Sequence, residues 1–146
     1  MDTISKDRRR WNMQRIRSKN TFPELTVRSF LHRKGFRFRV CDSTLPGKPD
    51  IVLKKYRLVI QIRGCFWHQH PDCTRATIPS SNVEYWIPKL QKNVERDKKN
   101  DLLLNNSGWH VIVIWECEVK NGRFKEILTQ KLLNQEDSFQ KNSNTD

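Results

Sequence analysis

The sequence predicts an α/β domain, a mixed central β-sheet flanked by helices. Three observations predict it. Two short apolar runs, Ile51–Leu53 and Leu58–Ile62, lie a few residues apart, the pattern of strands joined by a tight turn. A long helical pattern near 82–105 then leads into the apolar run Trp109–Trp115, a strand–helix–strand order. The 146 residues suffice for one domain with a real core.

Each element has a local cause. Thr21-Phe-Pro-Glu24 opens a helix, with Thr21 as N-cap, Glu24 completing a capping box and Pro23 tolerated in the first turn. Leu25, Phe30 and Leu31 are expected to form its apolar face, and Gly35 to end it. Phe36–Val40 alternates apolar and basic residues and reads as a strand, and Leu45–Pro49 as a turn. A basic turn, Lys54–Arg57, joins the next two strands, and 64–81 is a loop. The long helix sets Trp86, Leu90, Val94 and Leu102 near one face, with a kink or restart expected at Pro88. Gly108 closes it, the strand Trp109–Trp115 follows, and a last helix covers about 123–133. Residues 134–146 are polar except for Phe139 and read as a disordered tail. The expected organisation is therefore a basic arm over 1–20, a domain over 21–133 and a tail over 134–146.

The charge is uneven. Lys and Arg total 28 against 16 Asp and Glu, a formal net charge of +12. Residues 1–40 alone carry 12 basic and 3 acidic side chains. A basic arm on a near-neutral body is the footprint of a polyanion binder, with nucleic acid the first candidate. No apolar run approaches the ~18 residues of a membrane span, and no apolar h-region follows the charged N-terminus. No membrane role and a cytoplasmic location are the expectations, and disulfides are disfavoured there.

The chemistry-bearing residues concentrate between 50 and 117. Cys65, His70 and Cys73 share one loop, and Cys117 follows the last strand, where a sheet could bring it alongside. Three thiolates and one imidazole make a closed tetrahedral zinc site; the alternative is reduced thiols beside a surface histidine. Cys41 has no ligand-like neighbours. Phe66 and Trp67 are adjacent, so one face cannot bury both if the segment is extended. They suit packing of one ring on the long helix or, in a DNA binder, a wedge between base pairs. Asp50 starts a strand and Gln61 and Arg63 share a face of the next. That outline suits a Mg²⁺-dependent nuclease, in which a carboxylate holds the cation, although Pro-Asp also marks a plain turn. His68 is a candidate general base, or a rival of His70 for the metal. Asp97 falls on the long helix, either facing the site or on a solvated face.

Four segments in order, Leu-Pro-Gly-Lys-Pro-Asp50, Gly64-Cys-Phe-Trp-His68, Asn93-Val-Glu-Arg-Asp97 and Val113-Ile-Trp-Glu-Cys117, resemble the very short patch repair endonucleases over about residues 8–120. The resemblance implies a restriction-endonuclease-like fold with a structural zinc loop. It implies nicking 5′ to the thymine of T:G mismatches, which arise when 5-methylcytosine deaminates. By that likeness Asp50 is the Mg²⁺-binding catalytic aspartate, His68 the catalytic histidine, and Asp97 and Glu24 supporting acids. Cys65, His70, Cys73 and Cys117 are the zinc ligands, Phe66 and Trp67 the wedge, and Met13 a residue entering from the other groove. The substrate implied is double-stranded DNA carrying the mismatch. Functional pairing with a cytosine-5 methyltransferase and a monomeric state are expected.

Two departures from the family stand out. One additional residue separates His70 from Cys73. Ile62-Arg63 stands where the family often has Thr-His. A main-chain carbonyl at Ile62 serves a metal whatever its side chain, whereas a histidine role cannot pass to Arg63. Arg63 is instead expected to present its guanidinium to the scissile phosphate. The rival functions are a restriction-type endonuclease cutting intact duplex and a non-catalytic mismatch-binding module, which would need neither Asp50 nor His68.

Overall fold

A computed structural model describes the backbone of residues 20–143 and the side chains of residues 20–135. Helix α1 is Phe22–Arg33, followed by strands β1 (Arg39–Val40), β2 (Ile51–Leu53) and β3 (Leu58–Arg63). The long helix α2 is Val83–Asn106, β4 is His110–Trp115, α3 is Glu116–Lys120 and α4 is Phe124–Ser143. Short 3-10 turns occupy Lys54–Tyr56 and Thr74–Ala76. The four strands form one mixed sheet in the order β1-β2-β3-β4, antiparallel until β3, which pairs with β4 in parallel. This is the predicted fold class. Among the described residues, no helix is long and apolar enough to cross a membrane.

The alternation of β2, β3 and β4 assigns the two faces. Ile51, Leu53, Leu58, Ile60, Ile112 and Ile114 point to one side, where Val27 and Leu31 of α1, Val119 of α3 and Phe124, Leu128 and Leu132 of α4 cover them. Val52 and Val59 point to the other side and meet Leu104 of α2. Each fully buried aliphatic side chain contributes roughly 1.5–3 kcal/mol. The first face therefore supplies most of the apolar stabilisation.

The parallel pair needs a crossover, and α2 makes it. Its return is pinned at Arg57, whose carbonyl accepts the His110 N–H at 2.8 Å. The Arg57 guanidinium meanwhile donates to the Ser107 carbonyl at 3.2 Å and lies 4.6 Å from the centre of the Trp109 ring. These contacts fix the β3–β4 register, Leu58 opposite His110 through Arg63 opposite Trp115.

Several elements differ from expectation. Strand β1 is only Arg39–Val40; Phe36 and Phe38 instead pack their rings on the first core. In α1 the buried positions are Glu24, Val27 and Leu31, while Leu25 is exposed. The Thr21 side chain makes no capping bond. Glu24 instead accepts the Asn20 N–H at 2.9 Å, so the expected reciprocal box is half replaced by a neighbouring donor. Helix α2 runs through Pro88 without restarting, although Pro88 lies past the first turn and forgoes the backbone bond to the Glu84 carbonyl. Its Leu102 is exposed and Leu104 is buried instead. Helix α4 continues to Ser143, ten residues past the expected end near Leu133. The arm over 1–20, apart from Asn20, lies outside the described residues, as does Met13.

The turn before β2 seats against α2. Gly47 has φ +73°, and a Cβ there would come within 2.7–2.9 Å of the Asn100 side chain. Gly47→Ala combines the left-handed penalty of about 1–2 kcal/mol with displacement of Asn100. A fall of at least that size in unfolding free energy is expected by urea titration, and no change would show the turn to be free of α2.

Candidate active site and metal centre

The C-terminal end of β3 gathers the chemistry. Asp50 immediately precedes β2, which is antiparallel to β3, and its Oδ2 accepts the Ile62 N–H at 2.7 Å. This contact joins the carboxylate to the Ile62 peptide, whose carbonyl the sequence nominated as a metal ligand. Burial is the main cause that pushes the Asp50 carboxyl up, from the ordinary 3.8 to about 6. The Ile62 N–H opposes that rise, the Glu24 charge adds to it, and the charges of His68 and Arg28 oppose it. Glu24, buried on α1, and the half-buried Asp50, whose carboxyl feels the Glu24 charge, are oxygen donors of the kind a hard divalent cation takes.

Arg28, one turn after Glu24, was missed in the sequence. Its Nη2 donates to Glu24 Oε2 at 3.3 Å and its Nη1 to Asn20 Oδ1 at 2.7 Å. Its buried Nε has no partner among the described residues. The only sequence signal was the i,i+4 acid–base spacing, which also describes many solvated helix faces.

His68 lies in the tight loop after β3, held by its own N–H to the Gly64 carbonyl at 3.1 Å. Its Nδ1 is 2.6 Å from Asp97 Oδ2 of α2. Asp97 is thus turned toward His68 rather than lying on a solvated face. Arg63 differs from expectation. Its side chain is only 11% exposed, its Nη2 donates to both oxygens of Asp101 at 2.7 Å, and its Nε is 3.8 Å from Asp97. The guanidinium is turned toward α2 rather than presented to open phosphate. Arg63 and Asp101 are far apart in sequence, so nothing local signalled the pair.

The Cys65, His70, Cys73 and Cys117 ligand atoms lie within 4.8 Å of one another. The edge of a tetrahedral zinc–thiolate site is about 3.8 Å, from Zn–S bonds near 2.3 Å, so this set fits with small adjustments. His70 offers Nδ1, 3.5 Å from Cys117 Sγ, and its ring stacks on Trp115 with centroids 4.2 Å apart. Cys117 N–H donates to Cys65 Sγ at 3.4 Å. Burial drives the Cys65 thiol well up, with the crowded Cys117 and Cys73 sulfurs adding to it. A divalent cation would convert that crowding into coordination.

Phe66 and Trp67 do not stand free. They pack at 5.5 and 5.8 Å against Trp86 of α2, and Tyr85 adjoins Trp86 at 5.1 Å. Asn93 fixes the loop by donating to the Trp67 carbonyl at 3.1 Å. Trp86, placed by its spacing near one face of the long helix, is the third member of this half-buried cluster. Lys89 lies over the Trp67 and Tyr85 rings at 5.6 and 5.3 Å. Lys92, Arg96 and Lys99 continue from it at helical spacing as an exposed basic stripe.

Comparison with known proteins now bears on this geometry. Residues 1–75 match the family described as DNA mismatch endonuclease Vsr. The chain is 42% identical over 134 residues to the DNA mismatch endonuclease Vsr of Escherichia coli, covering 90% of this chain and 85% of that protein. The chain belongs to the Vsr family. It is also 48% identical over 120 residues to a type II nicking enzyme of Xanthomonas oryzae pv. oryzae, covering 82% of this chain and 88% of that one. A type II nicking enzyme of Neisseria meningitidis serogroup A is 49% identical over 120 residues, covering 82% and 85%. Membership of the Vsr family makes this chain an endonuclease that acts on DNA.

Two measurements test the metal centre and the buried carboxylate. Purified protein is expected to carry about one equivalent of a thiophilic divalent metal by elemental analysis. Cys73→Ser should lower metal content and melting temperature together, and metal-free protein of unchanged stability would reject the site.

For Asp50, the metal-free folded state keeps its proton to about pH 6, whereas the unfolded chain releases it near 3.8. The folded state therefore binds more protons between these values, and the contribution of Asp50 to stability falls as pH rises through them, by up to about 3 kcal/mol. Without added Mg²⁺, Asp50→Asn should match the parent below pH 4 and exceed it in urea midpoint above pH 6. Equal midpoints at all pH values would show that the carboxylate is not desolvated.

Proposed function

We propose that this chain nicks one strand of double-stranded DNA 5′ to the thymine of a T:G mismatch, using Mg²⁺ at Asp50 and a structural zinc at Cys65, His70, Cys73 and Cys117. The observation that carries the reading is the meeting of Asp50 with the Ile62 peptide beside the His68–Asp97 pair at one strand end. Asp50 and the Ile62 carbonyl would hold the cation, with Glu24 close by. When bound, Mg²⁺ polarises the phosphodiester and lowers the pKa of a coordinated water.

His68 spends Nδ1 on Asp97, which leaves Nε2 to take the proton of the attacking water. Asp97 fixes the imidazole orientation and balances the imidazolium that forms. Arg28 offsets the Glu24 and Asp50 charge before the cation arrives.

Recognition is assigned to Phe66, Trp67 and Trp86. Wedging rings between base pairs costs a few kcal/mol of unstacking, and less at a mispair, so the difference favours T:G. The stripe of Lys89, Lys92, Arg96 and Lys99 begins at this cluster and suits the phosphates of the flanking strand. Met13 is assigned to the opposite groove by family likeness alone. The substrate is the deamination product of 5-methylcytosine, which is why a cytosine-5 methyltransferase is the expected functional companion.

The test uses three duplexes differing at one position, T:G, T:A and C:G, with and without Mg²⁺. Nicking of the T strand of T:G alone, and only with Mg²⁺, is the expected outcome. Asp50→Asn should bind T:G and fail to nick it, since affinity comes from basic and aromatic contacts. Replacing Phe66 and Trp67 by Ala should lower the T:G over T:A preference more than general binding. Equal cutting of all three duplexes would favour a restriction-type activity, and binding without cutting a mismatch-binding module.

A further inference from the structure

Arg63 and Asp101 form an ion pair beside the His68–Asp97 contact. Asp97 and Asp101 are one turn apart on α2 and face the same strand end, so their charges repel. The Arg63 guanidinium lies between them on the inner side, 11% exposed, whereas His68 is on the outer side and 33% exposed. The distances are unequal. Arg63 is 2.7 Å from both oxygens of Asp101 and 3.8 Å from Asp97 Oδ2. That same Asp97 oxygen holds His68 Nδ1 at 2.6 Å.

A guanidinium forms its strongest bonds with whichever carboxylate meets it squarely. If Asp101 did not occupy it, the nearest carboxylate would be Asp97, and Arg63 would then compete with His68 for Oδ2. We propose that Asp101 is a positioning residue: it holds Arg63 off Asp97, so that Asp97 stays free to bind His68 and keeps Nε2 aimed at the reacting water. Arg63 acts in the same unit as the cation that lets two adjacent carboxylates coexist. Arg63 is thus a positioning residue and not a phosphate clamp. This inference rests on the nicking function proposed above.

The unit is tested with single-turnover nicking of the T:G duplex at saturating enzyme, duplex affinity measured in parallel. Asp101→Asn keeps the shape but loses the charge that holds the guanidinium. Its nicking rate should fall about 10- to 100-fold, the cost of a small misplacement of a catalytic group, with affinity changed less than about twofold. Asp101→Glu should recover part of the rate. The double variant Arg63→Met with Asp101→Leu removes the competing cation as well, and should nick faster than Asp101→Asn.

A second readout needs neither DNA nor activity. The short His68–Asp97 bond should give a low-field imidazole proton signal in NMR spectra, shifted or lost in Asp101→Asn and restored in the double variant. Wild-type nicking with an unchanged rate and unchanged signal in Asp101→Asn overturns the proposal. So does Arg63→Met with unchanged saturated rate, weaker binding and a salt slope lower by about 1, the signature of a phosphate clamp. A wild-type protein that does not nick T:G would instead overturn the proposed function, and the NMR comparison would still decide the positioning unit. A variant that melts below assay temperature is replaced by Asp101→Glu and the double variant, for which the same ordering of rates is required.

Discussion

The in-register parallel pairing of β3 with β4 is the constraint on which the site depends. Arg63 stands opposite Trp115, and Cys65 and Cys117 each lie two residues beyond that pair. Equal offsets from a shared register bring two cysteines 52 residues apart into one cluster. The turn into α3 then holds its angle because Glu118 Oε1 accepts the Trp115 N–H at 2.9 Å. A slip of one residue in this register would send every side chain to the opposite face and separate the thiols. The pairing is itself protected from slipping, because Ile60, Ile112 and Ile114 must stay on the face covered by α1, α3 and α4.

The Cys/His cluster in turn meets in the loop that follows β3. That loop holds little apolar core of its own: Cys65 is its one fully buried residue, and Phe66, Trp67 and His68 are half-buried. It is shaped by Gly64–His68 and Cys65–His70 backbone bonds, by left-handed Gln69 and Asp72, and by the four-ligand cluster. Coordination would therefore position His68 and the aromatic rings at a distance, without contributing to the chemistry. The aromatic cluster and the His68–Asp97 pair both rest on α2, so loop and helix together fix the rings relative to the histidine.

What was legible in the sequence follows from these causes. Local spacing named Cys65, His70 and Cys73, and the strand pattern placed Cys117 within reach, because both signals need only a few neighbouring residues. Periodicity placed β2, β3 and β4 well, since each buries a whole apolar set. It failed on α2. There the inward stripe is Leu90, Asn93, Asp97, Asp101 and Leu104, largely polar, so an apolar count selected Leu102, which is exposed. It failed on Leu25 for the related reason that a buried Glu24 takes the inward position in α1. The Arg63–Asp101 and Asp50–Ile62 contacts were invisible because they join residues that only the sheet and crossover bring together.

The two charged groups around the strand end are complementary in their incompleteness. Toward α1, two carboxylates, Glu24 and Asp50, are answered by one guanidinium, Arg28. Toward α2, two carboxylates, Asp97 and Asp101, are answered by one guanidinium, Arg63. Each side is left with one uncompensated negative charge. On the first side, the surplus lies at the buried Glu24 and half-buried Asp50 and suits a divalent cation. On the second it bears on His68 and suits the imidazolium formed when that ring takes a proton. A fully neutralised site would be more stable alone, because burying unpaired charge is costly. In the proposed mechanism, these two unpaired charges are places kept for two positive charges, a metal ion on one flank and a proton on the other.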